Sequence, residues 1–455
     1  MENRSDRAWK TCLSALIFFF YANSVNAAGF ALIEQGAKGM GNAYAGGAAS
    51  AEDASTVFYN PAGMTRLNGR QYIAAGHLII PSNKFSNSNS TTFTGAALTG
   101  GDGGNGGETA VLPNFYYVQE MAGGYRFGLG INVPFGLATD YDSNWKGRYQ
   151  AIRSEIKTIN INPALAFKLG DDLSLGFGAD LQFIDAKLTS AVDFSAACLL
   201  GQITGSIPGG TCTATGLTTV QNPNTDGLSD NTAADSSWGY NLGFLYELSP
   251  ATRVGLAYRS KIKHKLTGQG DFTVPAGGAT TVFGSTFADA SIVVYATLPE
   301  IISASVFHQI DSRWAIMGDV TQTRWSRIPE LRIDFDNSLK TDGVETLNWE
   351  NAWRYAVGVT HYYNDSWTWR TGIAYDQTPV PNAKSRTARL PDNNRRWLAF
   401  GGSYATSKNM TVDFGYAHLF FSDAPIDRTG ALQDKLVGTF KNQVDILSAQ
   451  LGWNF

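Results

Sequence analysis

The side chains with chemistry to offer are few and scattered. The 455 residues include five histidines. His264 and His308 fall on different predicted strands, so no acid–base set gathers around an imidazole. Neither a Gly-x-Ser-x-Gly elbow nor a phosphate-cradling Gly-rich loop ending in Lys and Ser/Thr occurs. The expectation is therefore no enzyme, no cofactor and no metal. A Ser and a His meeting on the outer face of a strand, as an outer-membrane phospholipase needs, is the one catalytic alternative. Cys198 and Cys212 stand fourteen apart in a Gly/Ser/Thr-rich stretch with no other Cys or His near them. That spacing suits an oxidised loop staple in an exported protein, and a mass shift on reduction reads it out.

The first residues argue for export. Arg4, Arg7 and Lys10 precede an apolar run from Leu13 to Tyr21, and Val25-Asn26-Ala27 fits a small-residue cleavage site. Residues 1–27 read as a signal peptide, since the run is about half the length of a spanning helix. Cys12 lies before the apolar core, which argues against a lipoprotein. No later apolar stretch reaches the roughly 18 residues of a membrane helix. Charged residues make up 16% and aromatics 12% of the chain, which holds 49 Gly; a net charge of −4 is too mild to imply nucleic acid as a partner.

What remains is period two. Leu173, Leu175, Phe177, Ala179, Leu181 and Phe183 share one face of a strand, and Ser174, Gly176, Gly178, Asp180 and Gln182 the other. Tyr240, Leu242, Phe244, Tyr246 and Leu248 repeat the pattern against Asn241, Gly243 and Glu247. Such strands run about ten residues, the length of a tilted membrane strand, where strands of soluble proteins average five or six. Fourteen are predicted, from 70–80 through 125–139 to 442–455. Turns at Gly123-Gly124, Gly170-Asp171, Ser249-Pro250, Asp311-Ser312, Asn364-Asp365 and Ser407-Lys408 are tight. The linkers 81–112, 188–236 and 266–290 are long and polar, the asymmetry of an outer-membrane barrel. A bilayer leaves no partner for an open sheet edge, so the sheet must close. The last strand puts Leu447, Ala449, Leu451, Trp453 and the final Phe455 on one face. This ending resembles the signal read by barrel assembly machinery. The expected class is all-β, a 14-stranded antiparallel transmembrane β-barrel at 69–455 in the outer membrane of a Gram-negative bacterium. Its partners would be lipid, lipopolysaccharide and assembly machinery, and it would be a monomer.

Residues 28–68 do not alternate. A lumen of fourteen strands is wider than side chains alone fill, so this Gly/Ala-rich segment is expected to plug it as a hatch. Asn60, in an Asn-Pro turn, and the lumen-facing Arg370 and Asp376 are candidates for hatch-to-wall hydrogen bonds. Pro134 and Gly136 sit within the predicted third strand; Pro cannot donate to a ladder and Gly weakens one, so an interruption is expected there. The alternative is a strand that ends at Val133.

Ala28-Gly29-Phe30, Gly39-x-Gly41-x-Ala43-Tyr44 and Asn60-Pro61-Ala62 resemble the hatch of the outer-membrane long-chain fatty acid transporter family, FadL and its toluene and xylene relatives. Tyr258-Arg259-Ser260, Leu298-Pro299-Glu300, Trp314-Ala315-Ile316, Trp369 to Asp376 and Leu390-Pro391-Asp392 follow in family order. The resemblance implies a hydrophobic pocket on the extracellular side and lateral release at an inward kink of the third strand, here Pro134, Phe135 and Gly136. Ala28, Gly29, Phe30, Asn60 and Pro61 would then belong to the hatch and pocket. The implied function is passive uptake of hydrophobic molecules, long-chain fatty acids first. Family positions that carry basic groups for a carboxylate align here with Ser190 and Glu345, leaving Lys187, or Lys261, as the candidate partner. If the pocket lacks a cation, uncharged aromatics or alkanes become the better ligands. A surface adhesin or phage receptor, working through its long loops, is the alternative of another class and requires no closed apolar pocket.

Overall fold

The computed structural model describes residues 29–455. The expected signal peptide at 1–27 and Ala28 lie outside the described residues. Fourteen antiparallel strands form one closed sheet. In chain order they are β1 Arg70–Asn87, β2 Ala110–Glu120, β3 in two pieces, Arg126–Asn132 and Gly136–Asp140, β4 Arg153–Leu169, and β5 Leu173–Asp193. Next come β6 Asp226–Ser249, β7 in two pieces, Thr252–Arg259 and Ile262–Thr273, and β8, Ala290–Leu298 and Ile301–Gln309. Then follow β9, Trp314–Thr323 and Glu330–Phe335, β10, Gly343–Thr346 and Ala352–Tyr362, and β11 Trp367–Asp376. β12 is Arg395–Ser407, β13 is Met410–Phe421 with Ala424–Thr429, and β14 is Lys435–Asn454. β14 closes on β1 over a register from Gln71↔Asn454 to Asn87↔Gly438.

The alternation read from the sequence sets which side is wet. On β5, Phe177 and Phe183 are exposed outward, while Ser174, Asp180 and Gln182 are buried inward. The barrel is thus apolar outside and polar within, as a lipid-facing wall demands. One expectation needs correction. The stretches 81–112, 188–236 and 266–290 are not loops throughout: β1 runs on to Asn87, β5 to Asp193, β6 starts at Asp226 and β7 continues to Thr273. Above the bilayer neither face meets lipid, so these extensions carry no apolar–polar signature. The remaining loop folds as the helix Phe194–Thr204 and the turn Thr211–Ala214, joined by a Cys198–Cys212 disulfide.

Residues 29–68 fill the lumen as short helices, Ala37–Met40, Gly47–Ser50 and Thr56–Tyr59, and a 3-10 turn, Pro61–Arg66. Helices this short do not stand alone; they are held by the wall. Arg253 donates to the carbonyls of Ala49 and Ser50, Arg354 to Ala43, and Arg370 to Glu52. Wall glycines let the backbones touch: a Cβ at Gly255 would lie 1.9 Å from the Ala48 carbonyl oxygen.

Candidate functional site

Above Ile131, β3 has no ladder to β2, whose paired stretch ends at Phe115. Its upper piece, Gly136–Asp140, pairs with β4. Between the two pieces Pro134 has no N–H to give, and Phe135 exchanges both its backbone bonds with the Thr158 hydroxyl instead of with backbone, at 3.0 and 2.7 Å. The strand resumes at Gly136, so the interruption is a kink and not an end.

The partner that β3 lacks is supplied from the lumen. Ala31 bridges Phe135, the Gly136 amide donates to the Phe30 carbonyl at 2.8 Å, and the Leu32 amide donates to the Pro134 carbonyl at 2.8 Å. Gln35 donates to the Val133 carbonyl and Asn114 of β2 to the Glu34 carbonyl, each at 2.9 Å. Residues 30–35 therefore stand where the β2–β3 ladder is missing.

Phe30 carries this closure into an apolar cavity. Its ring lies 4.8 Å from Trp325 and 6.0 Å from both Phe135 and Trp349. Trp325 arrives because β9 leaves its ladder for a 3-10 turn, Trp325–Arg327. Gly29, at φ 60°, fits beneath that ring, where a Cβ would come within 2.5 Å of it. The Gly29 amide donates to Asp392, which also accepts from Thr378; burial raises the Asp392 carboxyl above its usual range, against the pull of Arg395. The cavity beyond Phe30 is lined by Leu137, Ile184, Leu266, Val294, Ile333 and Leu347, and its volume is about 100 Å³.

Its polar end holds Glu345, Thr387 and Arg389. Arg389 Nε lies 3.3 Å from Glu345, Arg428 lies 3.7 Å from the same carboxylate, and Arg389 donates to Ser154 at 3.0 Å. Two guanidinium groups share one carboxylate, which leaves a surplus positive charge at the end of the cavity. Burial lowers the Arg389 pKa while Glu345 pulls it back up; a guanidinium stays charged through such shifts.

The sequence candidates separate here. Gly29, Phe30, Pro134, Phe135 and Gly136 converge at the kink. Asn60 is fully buried and donates to the carbonyls of Ala48 and Phe244 while accepting from the Ala62 amide, so it ties the segment to the wall; Pro61 opens the following turn. Neither lines the apolar cavity. Arg370 reaches Glu52 of the segment at 2.9 Å, but Asp376 does not reach the segment: its register partner on β12 is Arg395, 3.0 Å away, so its charge is met within the wall. Lys187 is likewise corrected. It pairs with Asp230 at 2.8 Å, outside the apolar cavity, and Lys261 is exposed. Trp325, Trp349, Asp392 and Arg389 were not found from sequence. Only Asp392 had a local signal, the Leu390-Pro391-Asp392 motif, and that motif gave no role. Among the described residues, His77 and Ser448 meet at 2.6 Å, both buried, on the lumen side rather than the outer face.

Glu34 adds a titrating group to the docked segment. Burial pushes its carboxyl up to about 7, against the pull of Arg395 and Arg354. The folded state favours its neutral form, so its contribution to docking is complete below the ordinary 4.5 and is lost as pH rises through about 7. A spin label at Ala31 is expected to gain mobility between pH 6 and 8, and E34Q to abolish that gain; equal mobility across this range in the wild type refutes it.

Comparison with known proteins adds independent findings. Residues 18–455 match the model of a family described as outer membrane protein transport protein (OMPP1/FadL/TodX). The chain is 31% identical to the long-chain fatty acid transport protein of Escherichia coli, over 86% of this chain and 87% of that one. It is 31% identical to outer membrane protein P1 of Haemophilus influenzae, over 90% and 89%. The crystal structure of a Pseudomonas aeruginosa FadL homologue superposes with a TM-score of 0.83 at 26% identity, covering 94% of this chain and 100% of that one. The Ralstonia pickettii toluene transporter TbuX shares the fold at a TM-score of 0.64 and 20% identity, covering 93% and 100%.

Proposed function

The chain belongs to the OMPP1/FadL/TodX family of outer membrane transport proteins, and from that membership we propose that it carries long-chain fatty acids inward through the wall of its barrel. It is an outer-membrane channel for hydrophobic molecules, long-chain fatty acids or toluene-type hydrocarbons. The observation that supports the fatty acid is the apolar cavity ending at Arg389 and Glu345, with Arg428 3.7 Å from that same carboxylate, so that an incoming carboxylate meets surplus positive charge. Chain burial supplies the affinity, about 0.8 kcal/mol per CH₂.

Residues 28–68 act as the hatch. The cavity of about 100 Å³ is well below the roughly 300–1,000 Å³ of sites that hold drug-sized ligands. A fatty acid therefore enters by displacing Phe30, and with Phe30 goes the carbonyl that Gly136 holds. The gap between β2 and β3 then opens toward the membrane, and the ligand leaves sideways into lipid. No group is made or broken, and no energy source beyond the partition of the chain is required.

A hydrocarbon remains the second reading, favoured by a cavity wall that is mostly apolar and by an Arg389 already engaged by Glu345 and Ser154. Growth of a deletion strain carrying this chain, on oleate or on toluene as sole carbon source, tests the proposal. Rescue on oleate is expected; rescue on toluene alone overturns the fatty acid, and rescue on neither overturns uptake.

A further inference from the structure

The outer wall above the membrane band carries cations that the transport path does not use. Lys261, Lys263 and Lys265 are exposed, alternating with Ile262, His264 and Leu266, which are buried. Three alternate outward positions thus each present an ammonium group, Lys261 in the break between the two pieces of β7 and Lys263 and Lys265 on its upper piece. Among the described residues none of the three takes part in an ion pair. Their neighbours differ: Lys157 pairs with Glu155 and Lys187 with Asp230. Asp235, the nearest acid on β6, is occupied by the His264 ring and the Lys265 amide.

The height of this ladder is fixed by the strand. The three lysines stand nine to thirteen residues beyond Thr252, which opens β7 at the tight-turn end of the barrel. At a strand tilt of about 40°, each residue climbs roughly 2.5 Å, so they lie about 23 to 33 Å up, at and above the edge of a band about 25 Å tall. Aromatics mark the same level independently. Lys265 faces Tyr295 across the ladder, and Tyr295 and Trp238 are 61% and 65% exposed, as rings at the headgroup level are. Next to it Arg324 and Arg327 share the single carboxylate of Glu300.

The seam of the barrel repeats the arrangement at a similar height. Lys84 of β1 faces Lys441 of β14 in direct register, both exposed and both without an ion pair among the described residues. Like charges opposite one another destabilise a sheet, unless an anion lies between them.

We propose that these lysines form a docking surface for the phosphate groups of outer-leaflet glycolipid, with the Lys261–Lys263–Lys265 ladder as its main site. The phosphates of such a lipid sit at the height of the ladder, and its acyl chains lie along the apolar band below. Each lysine near a charged lipid surface contributes about 1 kcal/mol, so three together are worth roughly a hundredfold in affinity at low salt. The surface fixes the barrel in its leaflet; it does not bind the transported ligand.

The test uses the full-length protein in detergent, titrated with fluorescent diphosphoryl lipid A, with the same lipid dephosphorylated, and with inorganic phosphate as competitor. Wild-type protein is expected to bind the phosphorylated lipid in a salt-dependent way. The variant K261Q/K263Q/K265Q is expected to bind it roughly a hundredfold more weakly, with fatty acid uptake and a heat-modifiable barrel unchanged; K84Q/K441Q adds a smaller loss. Equal binding by wild type and triple variant overturns the proposal. So does equal binding of the dephosphorylated lipid, which reports acyl chains alone, or competition by millimolar inorganic phosphate, which reports a free-anion site.

Discussion

Replacing Arg389 with methionine is expected to weaken oleate binding about ten- to a hundredfold and to leave toluene binding unchanged. A hydrogen bond to a charged partner is worth about 1.5–3 kcal/mol, which is a tenfold to hundredfold loss when the charge is removed. Methionine keeps most of the side chain's volume, so the apolar lining stays filled. Glu345 is not stranded, because Arg428 still lies 3.7 Å from it. R389K, which restores a cation without the planar fork, is expected to recover part of the oleate affinity. Displacement of a fluorescent fatty acid from purified protein measures the first ligand and partition binding of labelled toluene the second. If oleate binding is unchanged in R389M, the carboxylate does not sit at this end and the hydrocarbon reading takes precedence. If both ligands weaken alike, Arg389 shapes the cavity rather than recognising a charge.

The barrel was legible because a lipid-facing wall imposes a one-dimensional rule. Leu173 to Phe183 must alternate for β5 to show apolar groups to the membrane and Asp180 and Gln182 to the lumen, and each tight turn marks where the rule restarts. The kink was legible for a related reason: Pro134 and Gly136 fall two residues apart and weaken the ladder together, whereas Pro113 and Pro163 stand alone in strands that run on past them. The N-terminal segment could be assigned to the lumen because it fails to alternate in a chain that otherwise does. The cavity was less visible. Trp325 shows no sign of its place until β9 is seen to leave its ladder for a 3-10 turn, and Arg389 sits in a connection with no periodicity. Asp376 illustrates the limit from the other side. Its lumen-facing register was read correctly, but whether a lumen-facing carboxylate meets the segment or the wall depends on Arg395, nineteen residues away in sequence and directly across the ladder. Lys187 looked apt because it is close in sequence to a family position; Asp230 on the next strand holds it elsewhere.

Cross-linking the docked segment to the kink is expected to stop uptake outright. Ala31 and Phe135 are direct antiparallel partners, and the flanking bonds run from Leu32 to Pro134 and from Gly136 to Phe30. They therefore form a non-hydrogen-bonded pair, whose Cα atoms lie about 4.5 Å apart, within the span a disulfide bridges. In the variant A31C/F135C, oxidation pins residues 30–32 across the opening, so the carbonyl of Phe30 can no longer leave the Gly136 amide. Uptake of labelled oleate by cells is expected to fall to that of a deletion strain, and to return when a thiol reductant is added. The reduced variant is its own control for the loss of the Phe135 ring, and the experiment belongs in a C198S/C212S background so that reduction acts on the new bond alone. Unchanged uptake in the oxidised protein would show that ligand passes without moving the segment, and the exit would then have to be sought away from β2 and β3. Full loss with reversal would place the moving part at three residues, Phe30 to Leu32, and the rest of the hatch, tied down by Asn60, Arg253, Arg354 and Arg370, could remain in the lumen throughout the cycle.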